Sequence, residues 1–154
     1  MRPRPSVELH AHPVDEATTL EEHLLPLKVE GTTSNGTNHA AEIYLPHPLT
    51  FAMMKLFAFR DRSQNENKEY GRYHALDLYA VLATASEEEW DQALELQRRH
   101  REEPAMNEAT RIVKENFAST TSLGMLRMKE SPYYRQEMQA NEFLQALNEL
   151  FSVD

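Results

Sequence analysis

The chain has 154 residues, enough for one domain or a small domain with an appendage. It is 40% hydrophobic and 27% charged, and its net charge is −9, from 16 basic and 25 acidic residues; this suits a globular protein and argues against one whose main task is gripping a phosphate backbone, though one local basic pocket stays possible. There is no cysteine for a disulfide or thiolate metal site, no apolar run of the roughly 18 residues a membrane span needs, and no apolar stretch after Arg2 and Arg4 like that of a signal peptide, so a cytoplasmic protein is expected.

Short strands and turns are predicted for residues 1–47. In SVELHAH (residues 6–12), Val7, Leu9 and Ala11 alternate with Glu8, His10 and His12, the period of a half-buried strand. Thr19 followed by Glu22 is a capping box for a short helix. LKVEG (27–31) and AEIYL (41–45) read as two further strands. The polar tract between them contains Asn35-Gly36, a hairpin signal. Glycine is scarce, and neither GxxxxGK nor GxGxxG occurs.

Residues 48–154 read as a helical domain. Helices are expected over about 48–62 and 70–85, with the polar tract SQNENKE between them. A third opens at the Ser86/Glu89 capping box and ends in basic residues, matching its dipole. A fourth carries Met106, Ala109, Val113 and Phe117 on one face. A last one is capped by Ser131 and started by Pro132, with Ala140, Leu144, Leu147 and Phe151 as its stripe. Met53/Met54 and Met125/Met128 are expected core fillers, and Trp90 a packing anchor. No internal repeat occurs. The expected fold class is α+β, mainly α: a small antiparallel sheet followed by a four- to five-helix array.

Lys55 shares a helical face with Phe51, Ala52, Ala58 and Phe59, with Arg62 two turns on. Asp77 shares one with Tyr73, His74, Ala80 and Val81. A short connection makes the two helices antiparallel and brings the charges together. Two readings stand: a structural ion pair, or a pocket where Lys55, Arg62 and Arg60 meet an anion such as a triphosphate, with Asp77 orienting the cations.

PLTFAMMKLFAFRDR, then Lys68, then YHALDLYAVLA resembles the helical part of nucleotidyltransferase-fold proteins, in particular the AbiEii-type toxins of bacterial toxin–antitoxin systems. Lys55, Ala58 and Arg62 match the family's K-x-x-A-x-x-x-R helix; Asp77, Leu78 and Val81 match most of its R/K-D-x-x-D-L-x-x-L helix. Tyr73 and His74 stand where that pattern has a basic residue and its first aspartate. The resemblance covers roughly residues 40–85. It implies a bacterial nucleotidyltransferase-like protein that binds nucleotide phosphates at Lys55 and Arg62.

The family's Gly-Ser turn and D-x-D carboxylates, which hold magnesium, have no counterpart here. Asp15 and Glu16 are adjacent and lack the Gly-Ser; Glu8 fits the place of a third carboxylate. The chain is therefore expected to lack its own catalytic centre, as a truncated frame, a degenerate member or a stand-alone helical module, with Mg2+ present only where a partner completes the centre.

Two other readings belong to different classes. An incomplete sheet leaves an open strand edge, as in a non-enzymatic interaction module that self-assembles or meets a toxin–antitoxin-type partner. The HAH stretch, with Glu8, His10 and His12 on one strand face, has a geometry for zinc in a small metal hydrolase, although no second ligand pair follows. The basic cluster at 97–102 reads as dipole compensation. Arg72 and His74, like Arg98 or Arg99 and His100, are too close for the arginine–histidine spacing of a HEPN ribonuclease, and no Ser-His-Asp set is evident.

Overall fold

The computed structural model describes residues 15–151. The predicted strand at residues 6–12, with Glu8, His10 and His12, lies outside them. Among the described residues the fold is α+β and mainly α, with a two-stranded antiparallel sheet and six helices. A 3-10 turn at Asp15–Ala17 leads to β1 (Leu25–Thr32) and β2 (Asn38–Leu45). The helices follow as α1 (Pro48–Arg62), α2 (Arg72–Thr84), α3 (Glu87–His100), α4 (Pro104–Asn116), α5 (Leu123–Lys129) and α6 (Ala140–Leu150).

The hairpin closes where its turn signal stands. Thr33 N donates to Thr37 O at 2.9 Å, Asn35 Oδ1 accepts from Thr37 N at 3.1 Å, and Gly36 takes φ +83°, a left-handed value that favours glycine. The register pairs Leu25 with Leu45, Leu27 with Ile43 and Val29 with Ala41, so one face is apolar as far as the Gly31–His39 pair near the turn. Every strand residue except Leu25 and Leu45 is nevertheless exposed, and Val29 keeps 46% of its surface in water.

α1 is the central element. Pro48 occupies its first position, and His47, itself fully buried, accepts a hydrogen bond from Leu49 N at 3.3 Å. Leu49, Ala52, Met53, Leu56 and Phe59 recur at helical spacing and are all fully buried, where α1 meets α2, α3 and α4. Rings extend this core: Phe59 to Phe117 at 5.3 Å, Phe117 to Phe143 at 6.1 Å, and Phe143 to Tyr79 at 5.5 Å.

Several expectations are corrected. Thr19 caps no helix: it is fully buried and hydrogen-bonds Thr50 Oγ1 at 2.6 Å, which ties the N-terminal turn to α1. Glu22 is drawn instead to Arg99 at 2.6 Å. The last helix starts at Ala140 and not at Pro132: Ser131 turns inward to a buried position, and between it and Phe143 no side chain is fully buried, with Tyr134 only bordering the core. α5 was not anticipated as a helix, but its Met125 and Met128 are fully buried as expected. Gly124 lets α5 lie against Phe117, since a Cβ there would stand 2.3 Å from the ring. Between α1 and α2 the tract is no simple polar linker. Glu69 and Tyr70 take φ 53° and 52° before Gly71 at 72°, and the Arg127 guanidinium sits 4.3 Å from the Tyr70 ring centre.

Candidate functional site: the α1–α2 seam

Helical periodicity puts Lys55 on α1 and Asp77 on α2 on the sides that face each other across the rim of the seam. Lys55 Nζ lies 2.6 Å from Asp77 Oδ2. Further along, Arg62 Nη1 lies 2.6 Å from His74 Nε2. The partners run in opposite order on the two helices, so α1 and α2 are antiparallel. The structure thus brings all three predicted site residues to one seam and adds His74 to them.

The charges do not lie within buried apolar stripes. On α2 the buried positions are Ala75, Leu78 and Leu82, whereas Tyr73, His74 and Val81 are half-exposed and Ala80 is exposed. The Asp77 side chain keeps 48% of its surface in water and Lys55 keeps 26%. The physical reason is solvation: a charge on the rim keeps part of its hydration, which a position one step inward would strip away. A pair this accessible contributes about 0.2–1 kcal/mol. It orients the two side chains more than it holds the helices together.

Arg60 does not join the cluster. Its guanidinium bonds Asp61 at 2.8 Å and Glu108 at 2.7 Å. Hydrogen bonds from Arg111, and then from Arg60, hold the Glu108 carboxyl down at about 2.

His74 governs the electrostatics of the seam. Burial lowers its pKa, the charges of Arg62 and Lys55 lower it further, and Asp77 opposes them. The neutral imidazole accepts from Arg62 through Nε2, which leaves the proton on Nδ1, a buried atom with no hydrogen-bond partner. Lys55 and Arg62 then carry two positive charges against the single negative charge of Asp77. The sequence signal for His74 was its place three residues before Asp77 on the same helical side.

The fit of the seam to magnesium is poor. Its carboxylate is Asp77, and Lys55 occupies it. Among the described residues no group of three or more His, Asp or Glu is placed to hold a metal ion, and the HAH stretch falls outside them. In comparisons with known proteins, no family model, curated protein or solved structure matches this chain.

Proposed function

We propose that the α1–α2 seam binds the phosphate groups of a nucleotide, and that the chain is a nucleotidyltransferase-like protein without a catalytic centre of its own among the described residues. The observation that carries this is the environment of Arg62. Its guanidinium faces a neutral imidazole where a carboxylate would ordinarily sit, and Lys55 stands on the same helix face, so the seam keeps one unbalanced positive charge. Arginine suits bidentate phosphate contact, and lysine adds a mobile point charge. Asp77 orients the Lys55 ammonium at the rim of the seam. In this reading the protein is bacterial and cytoplasmic, of the toxin–antitoxin type, and any Mg2+ would come with a partner that completes the centre.

Calorimetric titration with ATP tests the site. Wild type should bind, and Lys55→Ala and Arg62→Ala should each weaken binding roughly tenfold, about 1.4 kcal/mol. Equal affinity in all three proteins, or none in any, removes the site.

A second reading rests on the hairpin. Because Thr33 and Thr37 form a hydrogen-bonded pair, alternation makes Pro26–Tyr44 a non-bonded pair whose backbone groups face outward. Pro26 therefore deletes an outward donor on β1, whereas the outer edge of β2 carries the charge of Glu42, opposite Lys28, but no proline and keeps all its donors. A two-stranded sheet with a free edge and a wet apolar face suits strand addition by a second copy or a partner protein. Light scattering decides: association should be present in wild type and lost in Ile43→Lys, and a strict monomer at high concentration defeats this reading.

A further inference from the structure

The opposite side of α2 borders a groove that shares no residue with the seam. Two adjoining clefts of about 240 and 550 Å3 meet at Leu82, Glu142 and Ala146, between α2, the start of α3 and α6. Leu82, Trp90, Phe143 and Ala146 give the groove an apolar floor. Four exposed carboxylates, Glu87, Asp91, Glu142 and Glu149, line it as well, and no lysine or arginine does.

These acids differ from those elsewhere on the helices. Asp77, Glu95, Glu108, Glu115 and Glu130 each have a basic partner between 2.6 and 2.8 Å away. Among the described residues, none of the four groove carboxylates has an ion-pair or hydrogen-bond partner. Glu149 is also wrongly placed for its own helix. It lies in the last turn of α6, which contains no basic residue, so it adds to the negative end of the helix dipole. α3, by contrast, obeys the rule at both ends. Glu87 and Glu142, in the first turns of α3 and α6, follow the same rule, so Glu149 is the groove carboxylate that its own helix does not account for.

We propose that this groove binds a short amphipathic helix of another protein, rich in lysine and arginine. Apolar residues of the partner at i, i+3, i+4 and i+7 would rest on the floor, and its basic residues would meet Asp91, Glu142 and Glu149. The walls are helices whose backbone groups are already bonded, so recognition falls to side chains, which suits a helical ligand. α6, with 11 residues, is about 16 Å long and matches roughly three turns of partner.

The test is fluorescence anisotropy with the full chain. The probe is a labelled peptide of about three helical turns, with leucines at the four apolar positions and lysines elsewhere. Wild type should bind it at micromolar concentration, and Asp91→Lys/Glu149→Lys should weaken binding at least roughly tenfold. The charge-matched Glu21→Lys/Glu66→Lys, outside the groove, should leave the affinity within about twofold, and a peptide with serine for leucine should not bind. Circular dichroism of the exposed-site variants checks that each is folded. No binding by wild type, equal losses in both variants, or equal binding of the serine peptide overturns the proposal. So does a roughly tenfold gain in Arg2→Glu/Arg4→Glu, which would assign the groove to the chain's own N-terminal residues.

Discussion

The proton on His74 reports on the whole cluster around it. Asp77 favours the imidazolium, while Lys55 and Arg62 oppose it. Asp77→Asn should therefore lower the His74 pKa and Lys55→Met should raise it, shifts that an NMR titration of the ring protons reads directly. Movement in the same direction in both variants would contradict this charge arrangement. Steric constraint is as local as charge. Gly124→Ala puts a methyl group against the Phe117 ring, itself fully buried between Phe59 and Phe143. The expected cost is about 1–3 kcal/mol in urea unfolding, far above the ~0.5 kcal/mol of an ordinary surface change. Sequence pattern pointed to Lys55, Arg62 and Asp77 because helical spacing decides which side chains share a face. It missed His74 as a partner because the tautomer and burial of an imidazole follow from neighbours on another helix.

The helices divide by how much of their definition is local. α1 and α3 carry their own stop and start signals. Pro48 opens α1, and the Ser86–Glu89 capping box opens α3, with Ser86 N bonded to Glu89 Oε2 at 2.7 Å and Glu89 N to Ser86 Oγ at 3.2 Å. Both helices were legible in the residues alone. Ser86→Ala should cost about 1 kcal/mol by removing that cap; an unchanged midpoint would show that tertiary contacts alone hold the start of α3. α5 and the start of α6 were not legible in this way. α5 spans seven residues, and what makes it a helix is packing of Gly124, Met125 and Met128 against the core, including a ring 7 positions earlier in the chain. Ser131-Pro132 has the chemistry of a helix start, but in the stretch that follows no residue is fully buried until Phe143; Tyr134 and Ala140 only border the core. The hairpin was legible in register and turn, but not in its isolation, since alternation promises a covered face and cannot say what covers it.

For the molecule as a whole, three histidines set opposing pH dependences. Burial, followed by the charge of His23, lowers the pKa of His47, and His74 is lowered as well. Below the unfolded value of about 6.5, the unfolded chain takes up protons that these folded sites refuse. Their contribution is therefore complete above that pH and declines as the pH falls below it. His100 acts in the other sense. Burial opposes its charge, but hydrogen bonding and attraction from Glu103, with Glu22 also close, outweigh burial and raise its pKa. Glu22 Oε1 lies 2.6 Å from Nε2, though off the line of a good hydrogen bond. The stabilisation from His100 is present below about 6.5 and fades as the pH rises through its folded value. His47→Asn keeps a cap acceptor for Leu49 N while removing one of the depressed groups. Urea midpoints between pH 7 and 5 should therefore fall less steeply in that variant than in wild type, and parallel curves would exclude His47 as a source of acid sensitivity. No helix among the described residues is long and apolar enough to cross a membrane.

Pro46 and Pro48 enclose His47 between β2 and α1, and His47 is fully buried. Two of these three residues have φ fixed by their rings, and the middle one is clamped by packing. The join between the hairpin and the first turn of α1 is therefore short and restricted, and the direction in which the sheet leaves the helix that carries Lys55 is set largely at His47.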